Sequence, residues 1–280
     1  MNVKIMVTGA TGDYGRYALA YLQKFAPDAD LYGLVRRDGQ GADLSKRGIH
    51  LRVGDYANLP AMTQALRGID RLLFVSTPTP AVQKNVVLAA QKNQVGYVAY
   101  TSIYRPDLAK FGLERNHLQT ERWLKSAGLH YTALRNDWYL EVNQAMFTMA
   151  KRAHAFPYFS TDGVLSFALK REYAEAGARV ISGAGAGEVV NLAGTPVTYP
   201  ELGAATQAAV GHALRIQPVT ETAFMSQMTQ AGIMGAGVAD AYQQYACDPQ
   251  NGARDADSTE FERLLGHPLT PYAAAIRELL

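Results

Sequence analysis

The sequence has a single cysteine, no long apolar run and almost no excess of charge of either sign. The one cysteine among 280 residues, Cys247, excludes an internal disulfide and a cysteine-cluster metal site, and it is typical of a reducing compartment. No run of 18 or more apolar residues occurs, and the N-terminus lacks a basic and apolar leader pattern. We therefore expect a cytoplasmic protein that does not use a membrane as a partner.

Charge and hydrophobic content are those of an ordinary globular protein. The 27 Lys and Arg residues against 25 Asp and Glu leave a formal net charge of +2, and the basic residues are scattered. A nucleic-acid-binding protein gathers its cations in a patch or stripe, so nucleic acid is not expected as a partner. The 48% hydrophobic content and the length suit one large domain or a core domain with a smaller appendage.

Short apolar segments alternate with helical patterns over the first half of the chain. Strands are predicted at residues 3–7, 31–35, 51–53, 72–75, 97–100 and 131–134. Helices are predicted from near Asp13 to the break at Pro27-Asp28 and at residues 61–66, 82–91 and 114–126. This alternation is typical of βαβ units that feed a mostly parallel sheet covered on both faces. We predict an α/β fold with a Rossmann-type doubly wound parallel sheet.

A glycine-rich turn, VTGATGDYG, follows the first strand and precedes an amphipathic helix. In this context the spacing Gly-x-x-Gly-x-x-Gly permits a tight turn, lets a pyrophosphate approach the backbone and brings the helix N-terminus towards the anion. A turn without a ligand is the alternative. We favour a dinucleotide site that includes seven consecutive residues: Gly9, Ala10, Thr11, Gly12, Asp13, Tyr14 and Gly15.

Two arginines end the second strand in the sequence LVRRD. A carboxylate at this place binds the ribose 2′-hydroxyl of NAD, whereas a guanidinium accommodates the 2′-phosphate of NADP. Arg36 and Arg37 therefore favour NADPH, with NADH as a weaker ligand. A pair that is merely solvated is the alternative.

Polar and small residues follow the later strands. Asp55, in VGDY, is predicted to accept a hydrogen bond from the adenine amino group, with a turn or a helix cap as an equal alternative. A crevice for ribose and nicotinamide forms at the carboxyl ends of such strands. The further residues predicted to bind the cofactor are Tyr56, Ser76, Thr77, Pro78, Thr101 and Ser102.

Beyond Arg135 the alternation becomes less regular. Helices are predicted at residues 143–153, 171–181, 199–211, 221–231 and 238–246, strands at residues 189–192 and 214–218, and two last helices that begin at Ser258 and at Thr270-Pro271. We expect an NAD(P)-binding Rossmann domain over residues 1–142. A smaller α/β substrate-binding region is expected over residues 143–280, interleaved with the core sheet through residues 189–192.

These motifs resemble those of a known family in their order and approximate spacing. The segments VTGATGDYG, LVRR, VGDY, AYTSIY and YTALRNDWY are similar to the NmrA-like atypical short-chain dehydrogenases, above all to the NAD(P)H:quinone oxidoreductases and next to the triphenylmethane dye reductases. AGARVIS, NLAG and LLGHPLT extend the resemblance towards the C-terminus. The resemblance implies that Asn136, Trp138 and Tyr139 line the cofactor site, with core packing as the alternative for Trp138.

The chain departs from ordinary short-chain dehydrogenases at one pair of positions. Those enzymes have a Tyr-x-x-x-Lys pair on the helix after the fifth strand, where the lysine lowers the pKa of the tyrosine. At the matching positions this chain has His117 and Glu121. Alcohol oxidation, and epimerisation through a keto intermediate, are therefore disfavoured.

Quinone reduction makes smaller demands, because hydride addition to an electron-poor conjugated system spreads the negative charge. We predict His117 as the proton donor, with solvent as another source and a structural role as its alternative. Tyr104 is predicted as a catalytic residue that stacks on a flat substrate together with Tyr139. No metal is expected.

Two functions follow from these observations. The first is an NADPH-dependent reductase that transfers hydride to a quinone or similar flat, electron-poor acceptor. The alternative is a non-enzymatic NADP(H)-binding redox sensor of the NmrA type, which the missing catalytic pair supports equally. The aromatic residues after the sixth strand favour the reductase. The expected partner is a small aromatic or quinone molecule, and the oligomeric state stays open, with a homodimer as one alternative.

Overall fold

The computed structural model describes residues 2–183 and 186–280 and shows two compact units. Unit 1 comprises Met1–Asn136, Arg171–Leu192 and Arg263–Gly266. Unit 2 comprises Asp137–Lys170, Ala193–Glu262 and His267–Leu280. The domain boundary expected after residue 142 stays a prediction.

The strands and helices alternate along most of the chain. The strands are β1 (Lys4–Val7), β2 (Asp30–Val35), β3 (His50–Val53), β4 (Arg71–Phe74), β5 (Tyr97–Ile103), β6 (Tyr131–Asn136), β7 (Trp138–Tyr139), β8 (Ala155–Tyr158), β9 (Val164–Ala168), β10 (Val189–Leu192), β11 (Thr195–Thr198) and β12 (Arg215–Pro218). The helices are α1 (Asp13–Phe25), α2 (Ala42–Lys46), α3 (Leu59–Ala65), α4 (Pro80–Lys92), α5 (Leu113–Ser126), α6 (Gln144–Ala153), α7 (Lys170–Ser182), α8 (Tyr199–Val210), α9 (Glu221–Gln230), α10 (Ala236–Ala246), α11 (Thr259–Leu265) and α12 (Tyr272–Leu279). Two short 3₁₀ helices cover Leu140–Asn143 and Ala253–Asp255.

Within the described residues, unit 1 contains a sheet of seven parallel strands in the order β10-β6-β5-β4-β1-β2-β3. Val190 of β10 lies beside Leu134 of β6, which confirms the predicted extension of the sheet through residues 189–192. β1 lies between β4 and β2, so the strand order reverses there, and parallel sheets bind ligands at such a switch point. The predicted Rossmann-type doubly wound sheet is confirmed.

The core of unit 1 explains why its strands are almost continuously apolar. A parallel sheet covered by helices on both faces buries the side chains of each strand on both sides. Met6, Leu72 and Phe74 are fully buried, and Leu19 and Leu22 of α1 are fully buried as well. Burial of each such side chain stabilises the fold by about 1.5–3 kcal/mol.

Unit 2 contains smaller sheets. β9 pairs antiparallel with β11 and parallel with β7, and β8 pairs parallel with β12. Its helix α8 begins with a capping box, in which Thr198 accepts from the Glu201 amide and the Glu201 carboxylate accepts from the Thr198 amide. Among the helices of the described residues, none combines the length and the apolar character that a membrane span requires.

Candidate functional site

A cavity of about 540 Å³ lies in unit 1 at the carboxyl ends of β1, β2, β3 and β4. This is the place where the strand order reverses, and the volume is in the range of small-molecule sites. The cavity is lined by Gly9, Thr11, Gly12, Leu34, Arg36, Asp55, Tyr56, Val75, Ser76, Thr77 and Val82. Of these, Leu34, Val75 and Val82 were not among the predicted site residues. Leu34 and Val75 lie at the ends of β2 and β4 and Val82 lies in the first turn of α4, where apolar residues look like core in the sequence.

The glycine turn forms the wall between β1 and α1. Gly9 has φ +60°, a left-handed conformation that favours glycine. The Gly12 amide donates to the Gly9 carbonyl at 3.0 Å, and Gly12 is the N-cap of α1. A Cβ on Gly15 would lie 2.3 Å from the Gly9 oxygen and 2.8 Å from Ala10 Cα. The close packing brings the positive end of the α1 dipole to the cavity, and Gly12 lines the cavity at this point.

The two predicted arginines lie in the turn after β2, and they differ in whether they line the cavity. Gln40 Oε1 accepts hydrogen bonds from the amides of Arg36 and Arg37, both at 3.1 Å, and so fixes this turn. Both arginine side chains are exposed, but only Arg36 lines the cavity. No sequence signal marks Gln40, because a glutamine between two glycines has no characteristic spacing.

A third arginine, Arg16 on α1, connects the glycine turn to α2. Arg16 Nε donates to the Thr11 carbonyl at 3.0 Å, and its guanidinium pairs with the Asp43 carboxylate on α2. The Asp43 hydrogen bond raises the pKa of Arg16 and lowers that of Asp43. This pair was not predicted, since α2 is only five residues long.

Asp55 and Tyr56 line the cavity from the end of β3. Asp55 Oδ1 accepts from the Ala57 amide at 2.8 Å, which is the turn geometry that was the alternative to adenine binding. Tyr56 Oη donates to the Val75 carbonyl at 2.7 Å and lies 2.5 Å from Thr8 Oγ1. Burial raises the pKa of Tyr56, so the neutral phenol holds the ends of β1 and β4 together.

Hydrogen bonds to β5 and to two helices hold Ser76 and Thr77 after β4. The Ser76 amide donates to Thr101 Oγ1 at 2.8 Å, and Thr101 Oγ1 donates to Ser76 Oγ at 3.0 Å. The Thr77 amide donates to Gln83 Oε1 at 3.2 Å, and Asn116 Nδ2 donates to the Thr77 carbonyl at 2.8 Å. Thr101 thus contacts the segment that lines the cavity and does not line it itself.

His117 is buried on α5 with its ring next to a tyrosine. Its Nδ1 lies 3.0 Å from Tyr100 Oη. Burial lowers the pKa of His117 to about 4, although the Glu121 carboxylate and a hydrogen bond to the Thr101 backbone act in the opposite direction. The ring is therefore neutral at pH 7. These contacts favour the structural alternative, and proton donation by His117 stays a prediction.

Glu121 occupies the position of the usual lysine and is bound by two neighbours. Arg135 Nε lies 3.1 Å from Oε1 and Arg135 Nη2 lies 2.8 Å from Oε2. Ser102 Oγ donates to Oε1 at 2.5 Å. The hydroxyl of Ser102 thus donates its hydrogen bond to a residue of unit 1, and Ser102 does not line the cavity.

Other predicted site residues of unit 1 also lie outside the cavity lining. These are Ala10, Asp13, Tyr14, Gly15, Arg37, Pro78, Tyr104 and Asn136. Tyr14 Oη donates to the Tyr173 carbonyl at 3.1 Å, so its side chain packs against α7. The Tyr104 amide donates to the Asn136 carbonyl at 2.8 Å, which fixes the chain just after β5.

Trp138 and Tyr139 form β7 in unit 2. Trp138 is buried and packs edge-on against Tyr242 and Tyr245, with ring centroids 5.1 Å and 5.6 Å away. These contacts agree with core packing, which was the alternative to cofactor binding for Trp138. Lys170 Nζ lies 5.6 Å from the centroid of the Tyr139 ring, within the distance of a cation–π contact.

Known proteins are similar to this chain in sequence and in fold. A family model described as NAD(P)H-binding matches residues 9–162. Quinone oxidoreductase 2 of Escherichia coli (strain K12) is 34% identical over 98% of this chain and 98% of the relative. The structure of the NADPH-dependent quinone oxidoreductase of Escherichia coli complexed with NADPH matches with a TM-score of 0.80 and 30% identity, over 98% of this chain and 99% of that one.

A second solved structure is similar over its whole length. The triphenylmethane reductase of Citrobacter sp. matches with a TM-score of 0.88 and 26% identity, over 99% of each chain. The family model covers more than half of the 280 residues, and the Escherichia coli relative covers almost all of them. The resemblance read from the motifs is therefore confirmed, and the chain belongs to the NmrA-like family of NAD(P)H-binding proteins.

Proposed function

We propose that this chain is an NADPH-dependent reductase that transfers hydride to a quinone or a similar flat, electron-poor acceptor. The observation that carries the proposal is the cavity of unit 1, where the glycine turn, the α1 N-terminus and Arg36 surround one space. The relative of 34% identity is named a quinone oxidoreductase, and a similar structure contains NADPH.

The residues of the cavity fit NADPH. Gly9 and Gly12 present backbone without a side chain to the space, and a Cβ at Gly15 would collide with the Gly9 carbonyl. A pyrophosphate is favoured at such a helix N-terminus. The Arg36 guanidinium suits a 2′-phosphate, so we propose NADPH as the preferred cofactor and NADH as a weaker one.

The strand order supports one orientation of the cofactor. Arg36 and Asp55 follow β2 and β3 on one side of β1, whereas Ser76 and Thr77 follow β4 on the other side. With the pyrophosphate at the Gly12 turn, residues after β2 and β3 would hold the adenosine 2′-phosphate half and residues after β4 would hold the nicotinamide half. Thr77 and Ser76 are thus proposed to contact the nicotinamide half.

Bound NADPH supplies the hydride that reduces the acceptor. The chain binds the cofactor, orients it and limits the access of water, and no tyrosine-lysine pair activates the acceptor at His117 and Glu121. A neutral His117 holds no second proton at pH 7, because burial lowers its pKa to about 4. We propose that solvent supplies the proton to the reduced acceptor.

Other residue roles remain part of the proposal. Asn136, Trp138 and Tyr139 are proposed as cofactor contacts, and Tyr104 and Tyr139 as stacking surfaces for the acceptor, since aromatic rings attract one another in offset-stacked and edge-to-face arrangements. The homodimer, the cytoplasmic location and the lack of a nucleic-acid partner also stay predictions.

Steady-state assays test the function. The purified protein is mixed with NADPH or NADH and a panel of quinones and cationic aromatic dyes, while the absorbance of the reduced nicotinamide is followed. We expect acceptor-dependent oxidation that is faster with NADPH. Nucleotide binding without oxidation for any acceptor, together with a co-purifying protein partner, would instead support the redox sensor.

A further inference from the structure

Gln83, on α4, is fully buried in unit 1 and has a partner for each of its polar groups. Its Oε1 accepts from the Thr77 amide at 3.2 Å and from Tyr100 Oη at 3.3 Å. Its Nε2 donates to Asn116 Oδ1 at 2.6 Å and to Thr120 Oγ1 at 3.0 Å. A side-chain amide offers two N–H donors and two acceptor lone pairs, so the whole capacity of Gln83 is used.

Asn116, on α5, completes a closed set of hydrogen bonds around one residue. Its Nδ2 donates to the Thr77 carbonyl at 2.8 Å while its Oδ1 accepts from Gln83. The amide and the carbonyl of Thr77 are therefore both held by side chains that also bind each other. We call Gln83 and Asn116, acting on Thr77, the Thr77 clamp.

The clamp acts on a segment that lines the cavity. Thr77 lies beyond the end of β4, where the sheet no longer provides partners for the backbone, and it lines the cavity with Ser76. Gln83 and Asn116 do not line the cavity. Two buried amides are thus used to fix the backbone of a loop residue, which is more than the packing of α4 against α5 requires.

We propose that Gln83 and Asn116 are positioning residues that hold Thr77 at the nicotinamide half of the NADPH site. This rests on the proposed function. Without the clamp, the backbone groups of Thr77 turn to water, and the wall of the cavity beyond β4 loses its fixed shape. The adenosine half, at Arg36 and Asp55, is on the other side of β1 and keeps its own support from Gln40.

Two ligands separate this positioning role from a general structural one. NADPH contains both halves, whereas adenosine 2′,5′-bisphosphate contains the adenosine half without nicotinamide. The dissociation constants of both ligands are measured by calorimetry for the wild type, Gln83→Met and Asn116→Leu. We expect NADPH binding to weaken by about tenfold or more, since hydrogen bonds that fix the site are lost. Binding of the bisphosphate should change less than about twofold.

Asn93 provides a matched control in the same unit. Its Nδ2 donates to the Thr63 and Ala89 carbonyls at 2.9 Å and 2.8 Å, and it does not line the cavity. Asn93→Leu should lower the melting temperature without changing either dissociation constant. If a clamp variant does not fold, Thr120→Val removes one partner of Gln83 at nearly constant volume, and it should weaken NADPH binding selectively.

The possible outcomes distinguish the positioning role of the clamp from the proposed function as a reductase. Unchanged NADPH affinity in folded clamp variants, or equal weakening of both ligands, overturns the positioning role and leaves the reductase standing. An Asn93→Leu variant with the same selective loss also overturns it. A wild type that binds neither ligand overturns the proposed function and the clamp together.

Discussion

Glu121 and Arg135 form a two-point ion pair inside unit 1, with N–O distances of 3.1 Å and 2.8 Å. Their side chains are only 10% and 23% exposed. The pair connects α5 to β6, and it explains why a carboxylate stands where ordinary short-chain dehydrogenases have a lysine. A lysine at this place would meet the guanidinium of Arg135.

Neutralising Glu121 should destabilise the fold. Glu121→Gln keeps the shape but leaves the Arg135 guanidinium without its counter-charge, and we expect a loss of about 2 kcal/mol in the free energy of unfolding, between the values for exposed and buried pairs. Glu121→Lys should cost more. Urea unfolding measures both. The exposed pair of Asp107 and Arg105 supplies the control, because Asp107→Asn should change stability by less than about 0.5 kcal/mol. Equal effects of Glu121→Gln and Asp107→Asn would contradict this assignment.

His117 should make the stability depend on pH in the acid range. Burial lowers its folded pKa to about 4 from 6.5, so the unfolded chain binds a proton before the folded chain does. The free energy of unfolding therefore has its full value above pH 6.5 and falls by about 3 kcal/mol in total as the pH falls towards 4. Unfolding free energies measured against pH should therefore fall less steeply for His117→Gln than for the wild type. Parallel curves for the two proteins would show that His117 titrates normally.

The two arginines after β2 should differ in their effect on cofactor choice. Arg36 lines the cavity and Arg37 does not. Arg36→Gln should weaken NADPH binding by about tenfold or more, since a charge-assisted contact to the 2′-phosphate is lost, and should leave NADH binding nearly unchanged. Arg37→Gln should change both only slightly. Fluorescence titrations with the two nucleotides decide this, and equal losses for NADPH and NADH in Arg36→Gln would refute the phosphate contact.

Gly15 should tolerate no side chain. A Cβ there would lie 2.3 Å from the Gly9 carbonyl oxygen, so Gly15→Ala must displace the turn from α1 and weaken NADPH binding by about tenfold or more. Gly68 has φ +67°, and a Cβ added to it would meet nothing within 4 Å. Gly68→Ala should cost about 1–2 kcal/mol of backbone strain and leave the affinity unchanged. An NADPH affinity in Gly15→Ala equal to that of Gly68→Ala would exclude the proposed pyrophosphate position.

The sequence predicted the sheet of unit 1 better than the strands of unit 2. β1 and β4 are buried on both faces, so their apolar runs stand out, and α1 begins at Asp13 and ends before Pro27, as predicted. β9 instead depends on β11, which comes almost 30 residues later. Short strands of this kind are decided by pairing at long range, and neither β9 nor β11 was predicted.

The candidate site shows the same limit. The glycine turn and Arg36 could be predicted because their chemistry is tied to fixed positions after β1 and β2. Gln83 and Gln40 could not, since the partners of a buried or turn-closing amide are set by the tertiary fold. The burial that lowers the pKa of His117 is likewise set by the tertiary fold and could not be read from its position on α5, and proton donation by His117 stays a prediction.

A single-turnover experiment tests hydride transfer most directly. The protein with one equivalent of bound NADPH is mixed rapidly with excess 1,4-benzoquinone, and the absorbance of the reduced nicotinamide is followed. The predicted result is loss of all bound NADPH at a rate that saturates with quinone and far exceeds the rate for free NADPH. Bound NADPH that is oxidised no faster than free NADPH, with this quinone and the rest of the acceptor panel, would contradict the assignment as a reductase.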